Sequence, residues 1–417
     1  MLIFRLASRN ILRNKRRSLL TLLSMGGGFF LLCLTLSMSE GSYSNIIDIF
    51  TRDHTGHVQI HQGNYLERPS LYKTIKQADT LIQQLESDSR VIGVAPRIYG
   101  SSLAYGKSKT FPAQVIGIDP KRESKTTRLK SKITQGKYLS STLSDQALSK
   151  DGYFPAMIGF TLAKNLHLSL GDELVLISQG IDGSIANDIF NVAAIVGDAS
   201  SYERMNVYLS LTAIQQFLSM NTISNNLVHE LAITLVDQNQ SRDFAKQIQL
   251  QIGDQELTVA PWQVVESSFY NSMQADKKGS YVSMGIIIFI VSIGVLNTVL
   301  MGTLERTREF GVLKAIGTRP VMIFTLIVLE SFVLSIASCI LGLLLSLPVI
   351  YWLSVKGIPM PEPIDMGGIE FNTMLGELST YVIALPSVVV IVSTLLVSLI
   401  PAMRAAKISP LKALQSV

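Results

Sequence analysis

The chain has 417 residues, of which 47% are hydrophobic and only 16% are charged, so it is more apolar than an ordinary soluble protein of this length. Its net charge of +5 is unevenly distributed, because residues 39–279 hold 22 Lys and Arg against 24 Asp and Glu. This distribution removes the argument for nucleic-acid binding and favours a membrane protein. Cys33 and Cys339 both lie in long apolar runs, so no disulfide framework or thiolate zinc site is predicted.

The first 17 residues contain six basic and no acidic side chains. On a helical wheel an apolar stripe lies opposite four arginines, Arg5, Arg9, Arg13 and Arg16. The pattern predicts an amphipathic helix over residues 1–17, lying along the inner leaflet of a membrane. A plain charge cluster that only orients the chain is the alternative. The apolar run that follows is longer than the core of a signal peptide, so we expect an uncleaved anchor.

Four segments have the roughly 20 mostly apolar residues that a membrane-spanning helix needs. The predicted spans are 18–38, 280–304, 321–353 and 381–402. The third is too long for one untilted crossing, and Pro348 is expected to kink or end it. Because cytoplasmic segments are rich in Lys and Arg, we place both termini and the segment 305–320 in the cytoplasm. The C-terminal tail is residues 403–417, and 39–279 and the loop 354–380 are predicted outside.

The large insert, residues 39–279, reads as an α+β domain with two lobes. Alternating or β-branched runs predict strands at Gly56–His61, Val91–Tyr99, Ala113–Ile118, Glu173–Ser178, Phe190–Val196 and Glu230–Val236. Helical spacing occurs near residues 78–85, 158–166 and 213–218. The lysine-rich stretch 121–137 is interpreted as a mobile connection between the lobes. The predicted fold is an α-helical membrane protein with four transmembrane helices and this extracytoplasmic domain between the first two.

No pattern in the sequence indicates catalysis. The segment Gly100–Ser108, GSSLAYGKS, has one residue too many between its glycines for a phosphate-binding loop. A turn between two strands explains it better. His54, His57 and His61 are clustered but lack an acidic or cysteine partner at ligand spacing, so no metal site is predicted. We expect a protein that is not an enzyme and binds no cofactor directly.

The loop Leu304–Pro320, LERTREFGVLKAIGTRP, is predicted to join two spans and yet carries large apolar residues. On a helix Phe310 and Leu313 share one face, while Val312, Ala315 and Ile316 occupy others. A solvated linker would leave this surface in water. The pattern implies a cytosolic partner. A short helix resting on the inner leaflet is the alternative.

Polar residues also occur inside the predicted spans. An acid such as Glu330 is costly inside a membrane, so it belongs either to an ion pathway or to a pair with a basic group near the inner interface. The lack of an intramembrane relay argues for pairing. Asn297 is the polar position singled out in the preceding span. In the first span, the three glycines 26–28 either permit close helix packing or add flexibility.

From Asn297 to Gly317 the sequence resembles the N-x-x-x-x-x-x-x-E-R-x-R-E-[IF]-G-[VI]-L-[KR]-A-[IL]-G block of MacB/FtsX-superfamily permeases. The start LASRNILRNKRRSLLTLL and the ending PAMRAAKISPLKAL look like the termini of that family. Within the insert, GVAPRI, GIDP, IGFTLAKNL and GDELVL follow in family order. The chain therefore resembles MacB/LolC-LolE/FtsX-like ABC transporter permeases along nearly its whole length.

The resemblance implies that residues 305–317 form a coupling helix that docks in a separate ABC ATPase subunit, which would hold ATP and Mg²⁺. The coupling residues would be Glu305, Arg306, Arg308, Glu309, Phe310, Gly311, Leu313, Lys314 and Gly317. It also implies two ATPase copies and a second permease, as a homodimer or a paralogous heterodimer. ATP hydrolysis would then shift the outer domains by mechanotransmission. Replacing Phe310 and Leu313 with Asp is expected to abolish ATPase co-purification.

Three functions stay open at this stage. The first is transport from a bacterial inner membrane, either lipoprotein release or export of a periplasmic substrate, with lipoprotein cargo, a periplasmic carrier or an adaptor as further partners. The second is FtsX-like signalling that activates an envelope enzyme. The third is a membrane-anchored binding protein with no ATPase. Size and layout fit LolC/LolE-like permeases, whereas the N-terminus looks closer to MacB-type exporters.

Overall fold

The computed structural model describes residues 15–107, 109–140, 152–222, 226–253, 256–365 and 370–409. The amphipathic helix predicted over residues 1–17, with Arg5, Arg9 and Arg13, lies outside these ranges except for its last three residues. Those three belong to the first long helix, where Arg16 is exposed. The described chain divides into two compact units. One holds residues up to 45, 272–360 and 373 onward, and the other holds 46–271 and 361–372.

Four helices of the described chain are long and apolar enough to cross a membrane. They are α1 (Lys15–Phe50), α8 (Ser267–Glu305), α10 (Pro320–Val355) and α11 (Thr380–Lys407). All four helices are longer than the apolar runs from which they were predicted, and α1 continues twelve residues past Met38. Helix α10 does not end at Pro348 but continues to Val355. The loop before α11 contains two paired strands, β11 (Ile358–Asp365) and β12 (Glu370–Met374).

The apolar helices pack around a core that includes Phe29 and Leu32 of α1, Val295 of α8 and Val390 of α11. Glycines bring α1 close to two of its neighbours. A Cβ on Gly26 would lie 3.3 Å from the carbonyl oxygen of Ser338 of α10, and one on Gly28 would lie 2.3 Å from a methyl of Val291 of α8. A Cβ on Gly27 would meet nothing within 4 Å. Gly26 and Gly28 therefore permit close packing of α1 against its neighbours, whereas Gly27 does not contribute to it.

The second unit is built on a mixed ten-stranded sheet. Its strands are β1 (Val58–Gln62), β2 (Val91–Gly106), β3 (Lys109–Ile118), β4 (Ile133–Gly136), β5 (Phe154–Gly159), β6 (Glu173–Gln179), β7 (Ile185–Val196), β8 (Asn206–Ser210), β9 (Glu230–Leu235) and β10 (Leu257–Pro261). The order is β10-β1-β9-β2-β3-β8-β5-β7-β4, and β6 pairs with β2 and β7. The pairs β3/β8 and β5/β7 are parallel, and the other pairs are antiparallel.

Short helices accompany the sheet, and four of them bury their apolar stripes in its core. The helices are α2 (Ala78–Glu86), α3 (Pro120–Thr126), α4 (Phe160–Leu166), α5 (Leu211–Phe217), α6 (Ser241–Ile252) and α7 (Trp262–Val265). All six strands predicted from the sequence occur, as do the three predicted helices. The predicted turn between Gly100 and Ser108 falls at Lys107, between the hairpin strands β2 and β3.

The lysine-rich stretch 121–137, which was interpreted as a mobile connection between two lobes, consists largely of regular secondary structure. It contains most of α3, a turn of 3₁₀-helix at Leu129–Lys132 and strand β4. Asp119 caps α3 by accepting hydrogen bonds from the backbone of Lys121 and Arg122, and Pro120 occupies the first helical position. Lys121 and Lys125 face solvent while Glu123 is buried, because α3 packs one side against β2.

Three histidines of this unit, His57, His61 and His229, are buried in its core. His57 Nδ1 accepts from the backbone N–H of Leu235 at 2.9 Å, and His61 is hydrogen-bonded to Gln59 and to the carbonyl of His229. Burial lowers the pKa of His57 from 6.5 to about 4, helped by the nearby charge of Arg52. Burial also lowers the pKa values of His61 and His229. Among the described residues no cluster of three His, Cys, Asp or Glu could hold a metal ion.

These depressed pKa values predict an acid-sensitive domain. Between about pH 6.5 and pH 4 these histidines bind protons in the unfolded chain but stay neutral in the folded chain. The free energy of unfolding therefore falls as the pH is lowered through this window. Above the window these residues do not affect it. A pKa that is lower by one in the folded chain than in the unfolded chain corresponds to about 1.4 kcal/mol. Fluorescence of buried Trp262, whose backbone N–H donates to the carbonyl of His57, reports unfolding in a Trp352→Phe background.

We expect a lower thermal midpoint at about pH 5 than at about pH 7. His57→Gln should shrink the difference, because the amide oxygen of Gln can still accept a hydrogen bond but does not titrate. His167→Asn should leave the difference intact, because His167 is exposed and Asn tolerates its positive φ of 55°. An equal midpoint at both pH values would contradict the assignment of these histidines as buried and neutral.

Candidate functional site

The segment between the second and third apolar helices forms a short helix of its own, α9 (Thr307–Ala315). Helix α8 stops at Glu305, and Arg306 leaves the helical conformation with φ −100° and ψ 10°. At the other end Gly317 has φ 95°. The N–H of Gly317 donates to the carbonyl of Lys314, and the N–H of Thr318 donates to that of Leu313, each at 3.0 Å. This Schellman turn requires glycine, and Pro320 then begins α10.

One face of α9 is buried within its own unit. Phe310 is only 1% exposed and packs with Ile323 and Ile327 of α10 and with Ala402 and Ala405 of α11. Leu313 lies partly buried against the same cluster. The sequence led us to expect these two side chains on a surface that a partner covers. The structure places them inward instead, because the ends of α10 and α11 already provide an apolar seat for them.

Two basic side chains fix this helix to its neighbours. Arg306 Nη1 donates to Glu330 Oε2 of α10 at 3.0 Å, and its Nε donates to Glu309 Oε2 at 3.0 Å. Lys314 Nζ donates to the carbonyl oxygens of Ala406 at 2.6 Å and Ile408 at 2.7 Å. These are the carbonyls at the end of α11, where a cation is favoured by unpaired acceptors and by the helix dipole.

The opposite face of α9 is exposed. Val312 is 46% exposed and Ile316 is 75% exposed, and exposed Arg308 and Ala315 lie on the same side. Their spacing of three and four residues forms one stripe, apolar at the C-terminal half and charged at the N-terminal half. Val312 and Ile316 were noticed in the sequence, but nothing there distinguished them from Phe310. Only the packing of α10 and α11 shows which apolar face is left uncovered.

The length of α10 favours a position for Glu330 near a membrane boundary rather than at mid-depth. From Glu330 to the exposed Trp352, α10 rises about 33 Å at 1.5 Å per residue, slightly more than the roughly 30 Å of hydrocarbon in a bilayer. Tyr381 and Arg404 bracket α11 over a similar length, and Tyr and Trp favour the membrane interfaces. With Glu330 at that level, the first turns of α10 would extend beyond the bilayer together with α9. Asn297 is exposed on α8, nine residues before Arg306, and is not brought into the polar cluster.

A second polar cluster lies inside the sheet domain. The Arg97 guanidinium donates to both carboxylate oxygens of Glu123 at 2.7 and 3.1 Å and to Glu230 at 3.0 Å. It also donates to the carbonyl of His54 at 2.7 Å. Tyr99 donates to Glu230 as well, at 3.1 Å. Each nitrogen of the buried guanidinium therefore has an acceptor, which is the condition for a stable buried charge.

This cluster explains two of the sequence motifs that were noted in the insert. GVAPRI supplies Arg97 on β2, and GIDP caps the helix that presents Glu123. IGFTLAKNL forms the junction of β5 and α4, where a Cβ on Gly159 would lie 2.1 Å from the carbonyl oxygen of Glu203. GDELVL leads into β6. These motifs therefore maintain the fold of the domain, whereas the loop motif around α9 leaves an exposed stripe.

Two protein-family models match this sequence. A model of the FtsX-like permease C-terminal region covers residues 281–410, and a model of the MacB-like periplasmic core domain covers residues 18–251. The second model alone spans more than half of the chain. The chain therefore belongs to the family of ABC transporter permeases with a MacB-like periplasmic core and an FtsX-like C-terminal region.

Two proteins and one solved structure are similar to this chain, with the sequence identities and coverage that follow. The lipoprotein-releasing system transmembrane protein LolC of Xylella fastidiosa is 24% identical over 79% of this chain and 79% of its own length. The macrolide export ATP-binding/permease protein MacB of Campylobacter jejuni is 23% identical over 99% of this chain, which corresponds to 61% of that protein. The periplasmic region of MacB from Actinobacillus actinomycetemcomitans aligns with 54% of this chain at 15% identity and a TM-score of 0.37.

Proposed function

We propose that this protein is the permease subunit of an ATP-driven transporter whose ATPase is a separate subunit docked on the exposed stripe of α9. The permease itself carries no catalysis, and ATP and Mg²⁺ are held by the partner. The distribution of Lys and Arg supports an inner-membrane protein with both termini cytoplasmic and the sheet domain periplasmic. Two ATPase copies and a second permease, either identical or paralogous, complete the assembly.

The observation that carries this proposal is the two-faced character of α9. Its inner face is fixed by Phe310, Arg306 and Lys314. Its outer face exposes Val312 and Ile316 beside Arg308, and exposed Val321 and Met322 follow at the start of α10. An exposed apolar strip on an anchored amphipathic helix is the arrangement with which such helices bind a groove in another protein. The alternative of a helix resting on lipid is less favourable, because two charged residues of α9, Arg308 and Glu309, are exposed.

The cargo is proposed by similarity. LolC is named for lipoprotein release and MacB for macrolide export. The chain aligns with four-fifths of LolC, which supports release of a lipoprotein or export of another substrate from the periplasmic side. In either case ATP-dependent movement of α9 would reach the periplasmic domain through the long helices, so the permease would transmit motion.

The docking site is tested with Val312→Glu/Ile316→Glu, purified from the native host in mild detergent. Two interface residues of this kind together contribute more than about 1.4 kcal/mol, so recovery of the ATPase should fall at least about tenfold. A matched control is Val236→Glu/Leu250→Glu, which alters two comparably exposed apolar residues of the sheet domain. The control should recover the ATPase like the unmodified protein. Undiminished recovery with the α9 variant would refute docking at this stripe.

A further inference from the structure

The ion pair between Arg306 and Glu330 joins the residue that begins α9 to a residue eleven positions into α10. Both side chains are largely buried, at 11% and 16% exposed, and their charged atoms are 3.0 Å apart. They line a small cavity together with Gly302, Thr303 and Ser331. The pair is therefore largely shielded from water.

Attachment of α9 does not require these charges. Phe310 and Leu313 already seat the helix on α10 and α11, and a well-packed apolar pair usually replaces a buried ion pair without loss of stability. Apolar contacts, however, permit packed helices to slide past each other by small amounts. A charge-assisted hydrogen bond of defined length and direction does not permit such sliding. The pair fixes the position of α9 along the axis of α10.

Lys314 makes the corresponding connection at the other end of α9, where its ammonium group binds the last carbonyls of α11. The two connections leave α9 attached by directed hydrogen bonds to both of the helices that follow it. At its junction with α8, by contrast, the helix is interrupted at Arg306. Displacement of α9 would consequently carry the near ends of α10 and α11 with it.

We infer that Arg306 and Glu330 are positioning residues that make α10 follow the movement of α9, and that they take no part in holding the ATPase. The inference rests on the proposed function, because it concerns what happens after the ATPase has docked. Docking depends on the outer stripe, whereas transmission depends on the buried pair. The two properties can therefore be separated by substitution.

The test uses the detergent-purified complex with a reporter at the far end of α10. Trp352→Cys, with both native cysteines replaced by Ser, carries an environment-sensitive fluorophore, and emission is compared with and without ATP and vanadate. The variant is Arg306→Met/Glu330→Leu. The matched control is Lys277→Met/Glu40→Leu, since that pair has its charged atoms 3.1 Å apart and 22% exposure on each side but joins α8 to α1.

We expect the Arg306→Met/Glu330→Leu complex to retain its ATPase and lose the nucleotide-dependent change in emission, while the control keeps both. Glu330→Gln should weaken the change without altering ATPase recovery, and it substitutes for the double variant if that variant does not fold. A full change in emission in Arg306→Met/Glu330→Leu would overturn the inference. Loss of the ATPase from both Arg306→Met/Glu330→Leu and Glu330→Gln would also overturn it. Absence of any ATPase from the unmodified protein would instead remove the proposed function on which it rests.

Discussion

Replacing Phe310 with Asp is expected to destabilise the first unit severely rather than to affect docking alone. The ring is 1% exposed in the cluster that joins α9, α10 and α11, and truncating a buried Phe costs about 3–5 kcal/mol. The new carboxylate would also lie where the adjacent cation, Arg306, is already bound to Glu309 and Glu330. A desolvated charge without a partner adds to the loss.

The measurement is the thermal midpoint of the detergent-purified permease, compared with that of Val312→Asp. Val312 is two residues away on the same helix but is exposed, so its substitution should change the free energy of unfolding by no more than about 0.5 kcal/mol. Equal midpoints for the two variants would show that Phe310 is not buried as described. The contrast also shows why an aspartate at Phe310 is a poor probe of ATPase binding, since it would reduce co-purification by unfolding the seat of α9.

Replacing Arg97 with Met is expected to have the largest effect in the sheet domain. The guanidinium is 4% exposed and stands between Glu123 and Glu230, both almost fully buried. Burial alone would lower the pKa of Arg97, but these two carboxylates and Tyr99 raise it well above its usual value, so the group is charged at all relevant pH values. Removing it leaves two buried carboxylates without a cation, and breaking such a pair costs about 3–5 kcal/mol.

The loss is measured as the shift in urea midpoint, followed by Trp262 fluorescence in the Trp352→Phe background. Arg122→Met is the matched control, because Arg122 pairs with Glu86 at the surface and a surface pair contributes about 0–1 kcal/mol. Adding Glu230→Gln to Arg97→Met should recover part of the loss, since one of the two uncompensated charges is then absent. A midpoint for Arg97→Met that matches the control would contradict the description of the cluster.

The membrane helices could be located from sequence because bilayer hydrocarbon demands long apolar runs, but their lengths could not. Polar residues such as Ser39 and Glu40 continue α1 without a break, since hydropathy reports exposure to lipid and not where a helix ends. Pro348 was expected to kink or end α10, and the helix does not end there but continues to Val355. The sheet strands that escaped prediction, β4, β5, β8 and β10, are four to six residues long and carry little alternation.

The sequence motif located α9, but which face of this helix is buried depends on contacts with distant segments. Phe310 and Val312 are both apolar and two residues apart, so no local property separates the buried residue from the exposed one. The partner of Lys314 is a pair of backbone carbonyls more than ninety residues later, which carry no side-chain signal at all. The pairing of Glu330 with a basic group could be predicted from the sequence, because a buried acid near a basic loop needs a cation to compensate its charge.

The antiparallel pairing of β1 with β10, in which Val58 lies opposite Pro261 and Gln62 opposite Leu257, has a consequence for how such proteins diversify. The chain enters and leaves the sheet domain on adjacent strands, so the domain is an insertion with neighbouring ends. Exchange of this domain for that of a related permease would leave the membrane helices continuous. It also makes residues between the two junctions a natural unit for grafting onto a related permease.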